Sequence, residues 1–198
     1  SPLRKELLNG KASSAFSLCH FTDHAKPAIL IIGGSSGSRA INTAVRNLLP
    51  ELLKKYNIIH LCGKDNLDRT LDGTKGYAQF EYANQELADM FALAALVISR
   101  AGANAICELL ALKKLHILIP LSAAASRGDQ ILNANSFRSQ GFSYVIEEET
   151  LTNTTLLEGI EAVFLNKEQY LQAMSKSSST NAVDTIVKLI LDTSRYAR

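Results

Sequence analysis

The chain has 198 residues, of which 46% are hydrophobic, and it carries 21 lysines and arginines against 19 aspartates and glutamates. These proportions exclude a disordered or collagen-like chain, and a net charge of +2 is too small to indicate a nucleic-acid partner. No apolar run approaches the roughly 18 residues of a membrane span, so no membrane segment is expected within these residues. Three cysteines without a CxxC spacing favour reduced thiols in a cytoplasmic protein.

The hydrophobic pattern predicts strands that alternate with helices along the chain. Short, partly β-branched runs at residues 28–32 and 58–61 predict strands that are buried on both faces. Between them, apolar residues recur at helical spacing from about Ala40, so we predict an amphipathic helix there. Pro50 lies inside that apolar stripe and predicts a bend or a division of the helix.

The alternation continues through most of the chain. Further strands are predicted at 77–82, 96–99, 116–119 and 142–146, and further helices at 85–93, 104–113, 129–140, 154–165 and 168–174. A break at residues 177–180 precedes a last helix with an apolar face. The pattern predicts one doubly wound, Rossmann-like α/β unit with a parallel sheet of about six strands and helices on both faces. In such a unit the ligand lies outside the carboxyl ends of the strands.

The first candidate site is the turn Gly33-Gly34-Ser35-Ser36-Gly37-Ser38-Arg39, which joins the first strand to the first helix of the sheet. Backbone amides and the helix dipole favour an anion such as phosphate at this place, and glycines let the main chain approach it closely. The turn matches neither the Walker pattern nor the standard dinucleotide fingerprint. A Gly/Ser turn that only permits tight packing explains the residues equally well.

A second small-residue turn, Arg100-Ala101-Gly102-Ala103-Asn104, also follows a predicted strand and precedes a helix. Glu108 lies one turn into that helix and has no basic residue at i±3 or i±4. A carboxylate at this place can accept hydrogen bonds from a ribose diol. The alternative is an ordinary solvated glutamate.

The third candidate is Ser126-Arg127-Gly128-Asp129-Gln130, with Asn133 one turn along the next predicted helix. Asp, Gln and Asn side chains offer directional donors and acceptors that suit sugar hydroxyls. A helix capped by Asp129 is the alternative explanation.

The histidines and cysteines show no pattern of a metal site or a catalytic nucleophile. Their spacing matches neither HExxH nor a Cys/His zinc pattern, so no metal and no other cofactor is predicted. His60 and His116 lie in predicted strands, which indicates core or edge residues with satisfied hydrogen bonds. Cys19 lies in predicted flexible flanking sequence, and Lys113-Lys114 predicts a solvated helix end.

Three segments together resemble one known family. They are ILIIGGSSGSRAIN at 29–42, LVISRAGANAICELLAL at 96–112 and GDQILNANSFRSQG at 128–141. In this order and spacing they resemble the donor-binding half of the MurG family, which are two-domain glycosyltransferases of the GT-B fold. The resemblance covers about residues 1–148 and implies a linker or domain start at 1–27, a UDP-sugar donor-binding domain at 28–175 and a C-terminal helix at 176–198.

The resemblance also implies an activity. Enzymes of this family move N-acetylglucosamine (GlcNAc) from UDP-GlcNAc onto lipid I, undecaprenyl-pyrophosphoryl-MurNAc-pentapeptide, with inversion and in peptidoglycan synthesis. Pro2-Leu3-Arg4 looks like the Pro-x-Arg element that opens the second domain of the family. We therefore expect an acceptor-binding half outside this chain, which would hold the general base, so that the chain alone binds donor without turnover. The full-length enzyme is expected to be cytoplasmic and peripheral at the inner face of the cell membrane.

The resemblance assigns a role to each matching position. Arg4 would neutralise the diphosphate, Glu108 would bind the ribose, and main-chain groups near Asn84 would read the uracil edge. The other assigned residues are Gly34, Ser35, Ser36 and Gly37 around the diphosphate, Ala103, Asn104 and Ala105 at a second phosphate-facing turn, and Asp129 and Gln130 at hydroxyls of the GlcNAc ring, with Asn133 in support. Ala105 stands where the family commonly has threonine, and Asp129 stands where it has His or Gln.

Three other functions fit the same residues. The first is a soluble donor subunit of a two-part UDP-GlcNAc transferase. The second is a UDP-sugar hydrolase on the same scaffold, and the third is a module that binds a dinucleotide without catalysis. Release of UDP without acceptor would indicate the hydrolase. Binding of NAD in place of UDP and UDP-GlcNAc would indicate the dinucleotide module.

Overall fold

The computed structural model describes residues 4–34, 36–125 and 128–179. Within them the strands are Ala28–Ile32 (β1), Asn57–Leu61 (β2), Tyr77–Phe80 (β3), Ala94–Ser99 (β4), His116–Leu118 (β5) and Tyr144–Val145 (β6). Each strand lies where the hydrophobic pattern predicts one. The last strand is shorter than the predicted range 142–146, although Phe142 and Ile146 are both buried at its ends.

Helices separate the strands as predicted. They are Ala12–Leu18 (α1), Arg39–Lys55 (α2), Glu86–Leu93 (α3), Ala103–Ala111 (α4), Asp129–Ser139 (α5), Asn153–Leu165 (α6) and Lys167–Ser179 (α7). Short 3-10 helices lie at Lys5–Asn9, Arg69–Leu71 and Glu148–Thr150. The sequence therefore builds the alternating β/α order from which the fold class was predicted.

The strands form one six-stranded sheet in the order β3-β2-β1-β4-β5-β6. Pairing is parallel between β1 and β2, β1 and β4, β2 and β3, and β5 and β6. Ile29, Leu30 and Ile31 of β1 are fully buried, and because neighbouring strand residues point to opposite faces, both faces of the sheet are covered there. The predicted doubly wound α/β class is confirmed.

The chain divides into two units. The first comprises Arg4–Ser99 with Thr152–Thr154 and holds β1–β4 and α1–α3. In it, α1 and the 3-10 helix Lys5–Asn9 pack against α3, and a Cβ placed on Gly10 would lie 1.9 Å from the carbonyl oxygen of Ala88. The segment at 4–27 is therefore closely packed on this unit rather than a flexible flank.

The second unit comprises Arg100–Leu151 and residues 155–179 and holds α4–α7 with β5 and β6. Helix α5 packs against both α4 and β6. Phe137 of α5 is fully buried and meets Phe142 edge to face, with ring centroids 5.5 Å apart. This aromatic contact holds the amino end of β6 against the helix.

Helix α2 continues through Pro50, so the predicted division of this helix is wrong. The apolar stripe of the helix is buried at Ala44, Val45, Leu48, Leu49 and Leu52. Pro50 is exposed, so the Arg46 carbonyl that loses its helical partner at this position can bond to water. Burial of the stripe outweighs the local loss of one hydrogen bond.

The break predicted at residues 177–180 is also wrong as far as Ser179, because α7 includes residues 177–179. The Ser177 hydroxyl donates to the carbonyl of Met174 over 2.7 Å, a hydrogen bond that a serine can make inside a helix. Thr180 and the predicted last helix lie outside the described residues. The boundaries 1–27, 28–175 and 176–198 stay a prediction.

Candidate functional site

The turn after β1 has the backbone that the glycines predict. Gly34 and Gly37 have φ angles of 94° and 74°, in the left-handed region that glycine adopts without strain. The Gly37 amide donates to the carbonyl of Gly34 over 3.0 Å, which closes the turn. Ser38 then caps α2, since its Oγ accepts from the amide of Ile41 at 3.3 Å. Ser35 lies outside the described residues.

A second glycine, which the sequence analysis did not single out, supports this turn. A Cβ on Gly63 would lie 2.2 Å from the amide nitrogen of Gly37, and one on Gly37 would lie 2.0 Å from the carbonyl oxygen of Cys62. The Asn66 side chain also holds the turn, because its Nδ2 donates to the carbonyl of Ser36 over 3.3 Å. The turn after β1 is thus held against the loop after β2. Its sequence signal is a glycine two residues past the end of β2, the place that Gly34 has after β1.

A buried polar chain lies beneath this turn. Asn42 Nδ2 donates to the carbonyl of Cys62 over 2.9 Å, which leaves Asn42 Oδ1 to accept from His60 Nε2 at 2.9 Å. His60 Nδ1 therefore accepts from the Tyr77 hydroxyl, 3.0 Å away. Burial, and to a smaller degree the positive charge of Arg46, lowers the pKa of His60 to about 3. The prediction that His60 is a satisfied core residue is confirmed.

The turn after β4 differs from the first because its glycine is not needed for the fold. Gly102 has φ −67° and ψ 146°, which any residue can adopt, and no atom of the described residues would lie within 4 Å of a Cβ placed on it. The first hydrogen bond of α4 joins the Ile106 amide to the Gly102 carbonyl, 3.0 Å apart. The preceding amides, those of Ala103, Asn104 and Ala105, therefore have no partner inside the helix. They form a helix N-terminus that borders open space.

Arg100 fixes the place where the chain leaves β4. Its Nη1 donates to the carbonyls of Ile119 and Pro120, each at 3.2 Å, and its Nη2 forms an ion pair with Glu148. The two side chains are 12% and 19% exposed. Glu108, one turn along α4, is also buried, at 9% exposure, and interacts within the protein. The predicted ribose-binding carboxylate is thus a buried group and not a solvated one.

The third candidate group lies in the first turns of α5. Gly128 precedes the helix at φ 84°, Asp129 is exposed, and Gln130 Oε1 accepts from the amide of Leu121 at 3.0 Å. Asn133 is 7% exposed, and its Nδ2 donates to the carbonyl of Ala101 over 3.0 Å. The structure therefore brings Asn133 onto the turn that precedes α4. Ser126 and Arg127 lie outside the described residues.

Asn84 lies between β3 and α3, beside a cavity of about 320 Å³. The lining includes the rings of Phe80 and Tyr82, and Tyr82 is 62% exposed. The Asn84 amide donates to Glu86 Oε2 at 3.2 Å, and its carbonyl accepts from the Leu87 amide at 3.3 Å. Both main-chain groups of Asn84 already have a partner. Arg4, which the resemblance assigns to the diphosphate, is exposed and directly precedes the 3-10 helix Lys5–Asn9.

Three further titratable groups, His116, Lys114 and Cys19, lie partly or fully inside the protein. His116 is buried between the carbonyl of Lys114 and the hydroxyl of Ser143, which confirms it as a satisfied core residue. Lys113 is exposed, whereas Lys114 is half-buried and this burial lowers its pKa. Cys19 is 5% exposed at the end of α1, and burial raises its pKa to about 12, because its surroundings disfavour the thiolate. No group of three or more potential ligands within the described ranges is placed to hold a metal ion.

Residues 28–190 match the glycosyltransferase family 28 C-terminal domain. The chain belongs to this family. The match includes both glycine turns and the first turns of α5. No helix in the part of the chain that the structure describes has the length and apolarity to cross a membrane.

Curated relatives of this family 28 domain share more than half of its residues. A protein of Lachnospira eligens is 53% identical over 195 residues, and one of Lachnoclostridium phytofermentans is 57% identical over 190 residues. Both are named UDP-N-acetylglucosamine–N-acetylmuramyl-(pentapeptide) pyrophosphoryl-undecaprenol N-acetylglucosamine transferase. The alignments cover 98% and 96% of this chain but 55% and 53% of those proteins. The chain spans about half the length of the curated relatives it matches.

Solved structures show the same fold at lower identity. Acinetobacter baumannii MurG superposes with a TM-score of 0.67 at 22% identity, covering 94% of this chain and 55% of that one. The glycosyltransferase of kitacinnamycin superposes with a TM-score of 0.65 at 15% identity, covering 88% of this chain and 44% of that one. In both cases the family 28 domain corresponds to about half of a glycosyltransferase.

Proposed function

We propose that this chain is the donor-binding part of an inverting glycosyltransferase that takes GlcNAc from UDP-GlcNAc. The observation that carries the proposal is Gly102, whose backbone needs no glycine and whose missing side chain leaves open space at the N-terminus of α4. A site where the main chain must approach a phosphate closely explains that glycine. The names of the curated relatives supply the sugar nucleotide.

Each of the two glycine turns, taken by itself, is proposed as a place where the diphosphate of the donor can bind. Gly34, Ser36 and Gly37, together with Ser35, would surround it after β1. The amides of Ala103, Asn104 and Ala105 would face it at the N-terminus of α4, where the helix dipole favours negative charge. The family's threonine hydroxyl is replaced by the methyl group of Ala105, so backbone amides carry this contact. Arg4, which is exposed, would add a positive charge.

The nucleoside is proposed to lie near Asn84 and Glu108. The cavity beside Asn84 offers aromatic surface for a planar base such as uracil. Because the Asn84 amide is bonded to Glu86, a base that used this amide would have to displace that carboxylate. Glu108 would accept from the ribose hydroxyls one turn beyond the phosphate-facing amides of α4.

The GlcNAc ring is proposed to lie against the first turn of α5. Asp129 is exposed there and its carboxylate can accept from sugar hydroxyls. Gln130 has its Oε1 bonded to the Leu121 amide, so its Nε2 is the group that would donate to the sugar. Asp129 in place of the family's His or Gln changes a donor into an acceptor at this position.

In the reaction, an acceptor hydroxyl attacks the anomeric carbon, and negative charge develops on the departing UDP. Backbone amides at a helix N-terminus would stabilise that charge without a metal. The acceptor is proposed to be lipid I, in keeping with the names of the relatives. The general base and the acceptor site are proposed to lie in the part of those proteins that this chain does not span, and the whole enzyme to act at the cytoplasmic face of the membrane.

Calorimetric titration of the chain with UDP, UDP-GlcNAc and NAD tests the proposal. We expect 1:1 binding of the first two and none of NAD. Binding of NAD alone, or of no ligand, would refute it. Adding a lipid I analogue with UDP-GlcNAc should give no transfer by the chain alone. Release of UDP without acceptor would instead indicate a hydrolase.

A further inference from the structure

Asn133 bonds to the protein's own backbone rather than facing outward. It lies on the second turn of α5 and is 7% exposed. Its Nδ2 donates to the carbonyl of Ala101 over 3.0 Å, and Ala101 itself is fully buried. The hydrogen bond joins residues 32 positions apart, so it is a tertiary contact that fixes the place of one turn relative to one helix.

The bond determines where the next amide points. The peptide between Ala101 and Gly102 is trans, as are the other described peptide bonds. In a trans peptide the carbonyl and the following N–H point in opposite directions. Because Asn133 holds the Ala101 carbonyl, the Gly102 N–H, which lies in the same peptide plane, points away from Asn133.

That N–H is the first of the amides at the start of α4. Gly102 borders open space, and the amides that follow it have no partner inside the helix. The direction of this turn therefore depends on the side chain of Asn133, which is 7% exposed and bonded to the turn's backbone. Removal of the Asn133 donor would leave the buried Ala101 carbonyl without a partner, which costs more free energy than the hydrogen bond alone contributes. The peptide between Ala101 and Gly102 would therefore reorient.

We propose that Asn133 is a positioning residue for the diphosphate-binding turn and not a contact of the GlcNAc ring. The inference rests on the proposed function, because it assumes that the turn at Gly102 receives the diphosphate. Under this proposal the polar residues of α5 have two different roles. Asp129 and Gln130 would meet the sugar, whereas Asn133 would act through Ala101 on the phosphates.

The two possible roles of Asn133 predict different ligand profiles. A residue that orients the diphosphate turn affects UDP and UDP-GlcNAc alike, because both carry the diphosphate. A residue that contacts the sugar affects UDP-GlcNAc alone. We therefore compare Asn133→Asp, which keeps the volume but cannot donate to a carbonyl, with Asn133→Ala, which removes both.

Both variants should bind UDP and UDP-GlcNAc about fivefold to tenfold more weakly than the wild type, by the same factor for each ligand. Phe137→Leu is the matched control, since Phe137 is fully buried on the same helix and packs on Phe142. It should lower the unfolding midpoint while leaving both affinities of the folded protein unchanged. The Gly102 amide resonance in a ¹H–¹⁵N spectrum should shift in Asn133→Asp and stay in place in Phe137→Leu.

Weaker binding of UDP-GlcNAc with unchanged binding of UDP would overturn the inference and indicate that Asn133 contacts the sugar. Unchanged affinities for both ligands would overturn it as well. A wild-type chain that binds neither ligand would refute the proposed function together with the inference, whereas unequal losses refute the inference alone.

Discussion

Gly63 approaches Gly37 so closely that a Cβ on Gly63 would lie 2.2 Å from the Gly37 amide nitrogen. The two residues belong to successive loops, one after β1 and one after β2, and both have positive φ angles. The contact leaves no room for the loop after β1 to move towards β2. The hydrogen bond from Asn66 Nδ2 to the Ser36 carbonyl also holds the loop after β1 in place. The candidate phosphate turn is thus built into the fold before any ligand is present.

Gly63→Ala should therefore destabilise the protein strongly. Its φ of 86° already strains an alanine, and the methyl group would meet the Gly37 backbone, which cannot move aside as a flexible side chain can. We expect a loss of at least about 3 kcal/mol in the free energy of unfolding, measured by urea denaturation. Gly73→Ala is the control, since φ is 77° but no atom lies within 4 Å. It should lose only about 1 kcal/mol, and equal losses would contradict the close contact.

The sequence predicts the sheet well because its central strands are short apolar runs and its helices carry apolar stripes, both of which depend only on local spacing. The phosphate turn is likewise visible in Gly34 and Gly37. Gly63 was missed because its need arises from a neighbouring loop. The bond from Asn133 to Ala101 was missed for the same reason, since it joins distant positions. Pro50 misled the prediction because its exposed position, a tertiary property, makes it tolerable in a helix.

The ion pair between Arg100 and Glu148 should contribute measurably to stability. Both side chains are largely buried, and Arg100 also holds the carbonyls of Ile119 and Pro120, so Glu148→Gln would leave a desolvated guanidinium without its counter-charge. We expect a loss of about 2 kcal/mol in unfolding free energy. Glu51→Gln provides the comparison, because the Glu51–Lys54 pair is 55% and 66% exposed at its two side chains. Its effect should stay within about 0.5 kcal/mol, and similar losses for the two variants would argue against this difference.

Stability should fall in mildly acidic solution because His60 and His116 are both buried with lowered pKa values, and His116 supplies a separable part of this decline. Burial lowers the pKa of His116 to about 4, against a smaller opposite effect of its bond to the Lys114 carbonyl, while its ordinary pKa is 6.5. Between these values the unfolded chain binds a proton that the folded chain does not, so stability is complete above pH 6.5 and declines as the pH falls towards 4. Measured from pH 7 to 4.5, the unfolding free energy of His116→Gln should decrease by about 2 kcal/mol less than that of the wild type. Parallel pH profiles for the two proteins would show that His116 does not cause the decline.

Gly102→Ala separates binding from stability. The φ of −67° suits alanine, and the added methyl group meets no atom of the described ranges within 4 Å, so the unfolding free energy should change by no more than about 0.5 kcal/mol. The methyl group would, however, occupy the space in which we place the diphosphate, so the affinity for UDP should fall at least about tenfold. Gly73→Ala should show the reverse pattern, with lower stability and unchanged UDP affinity. If Gly102→Ala bound UDP as tightly as the wild type, the diphosphate would have to lie elsewhere than at the N-terminus of α4.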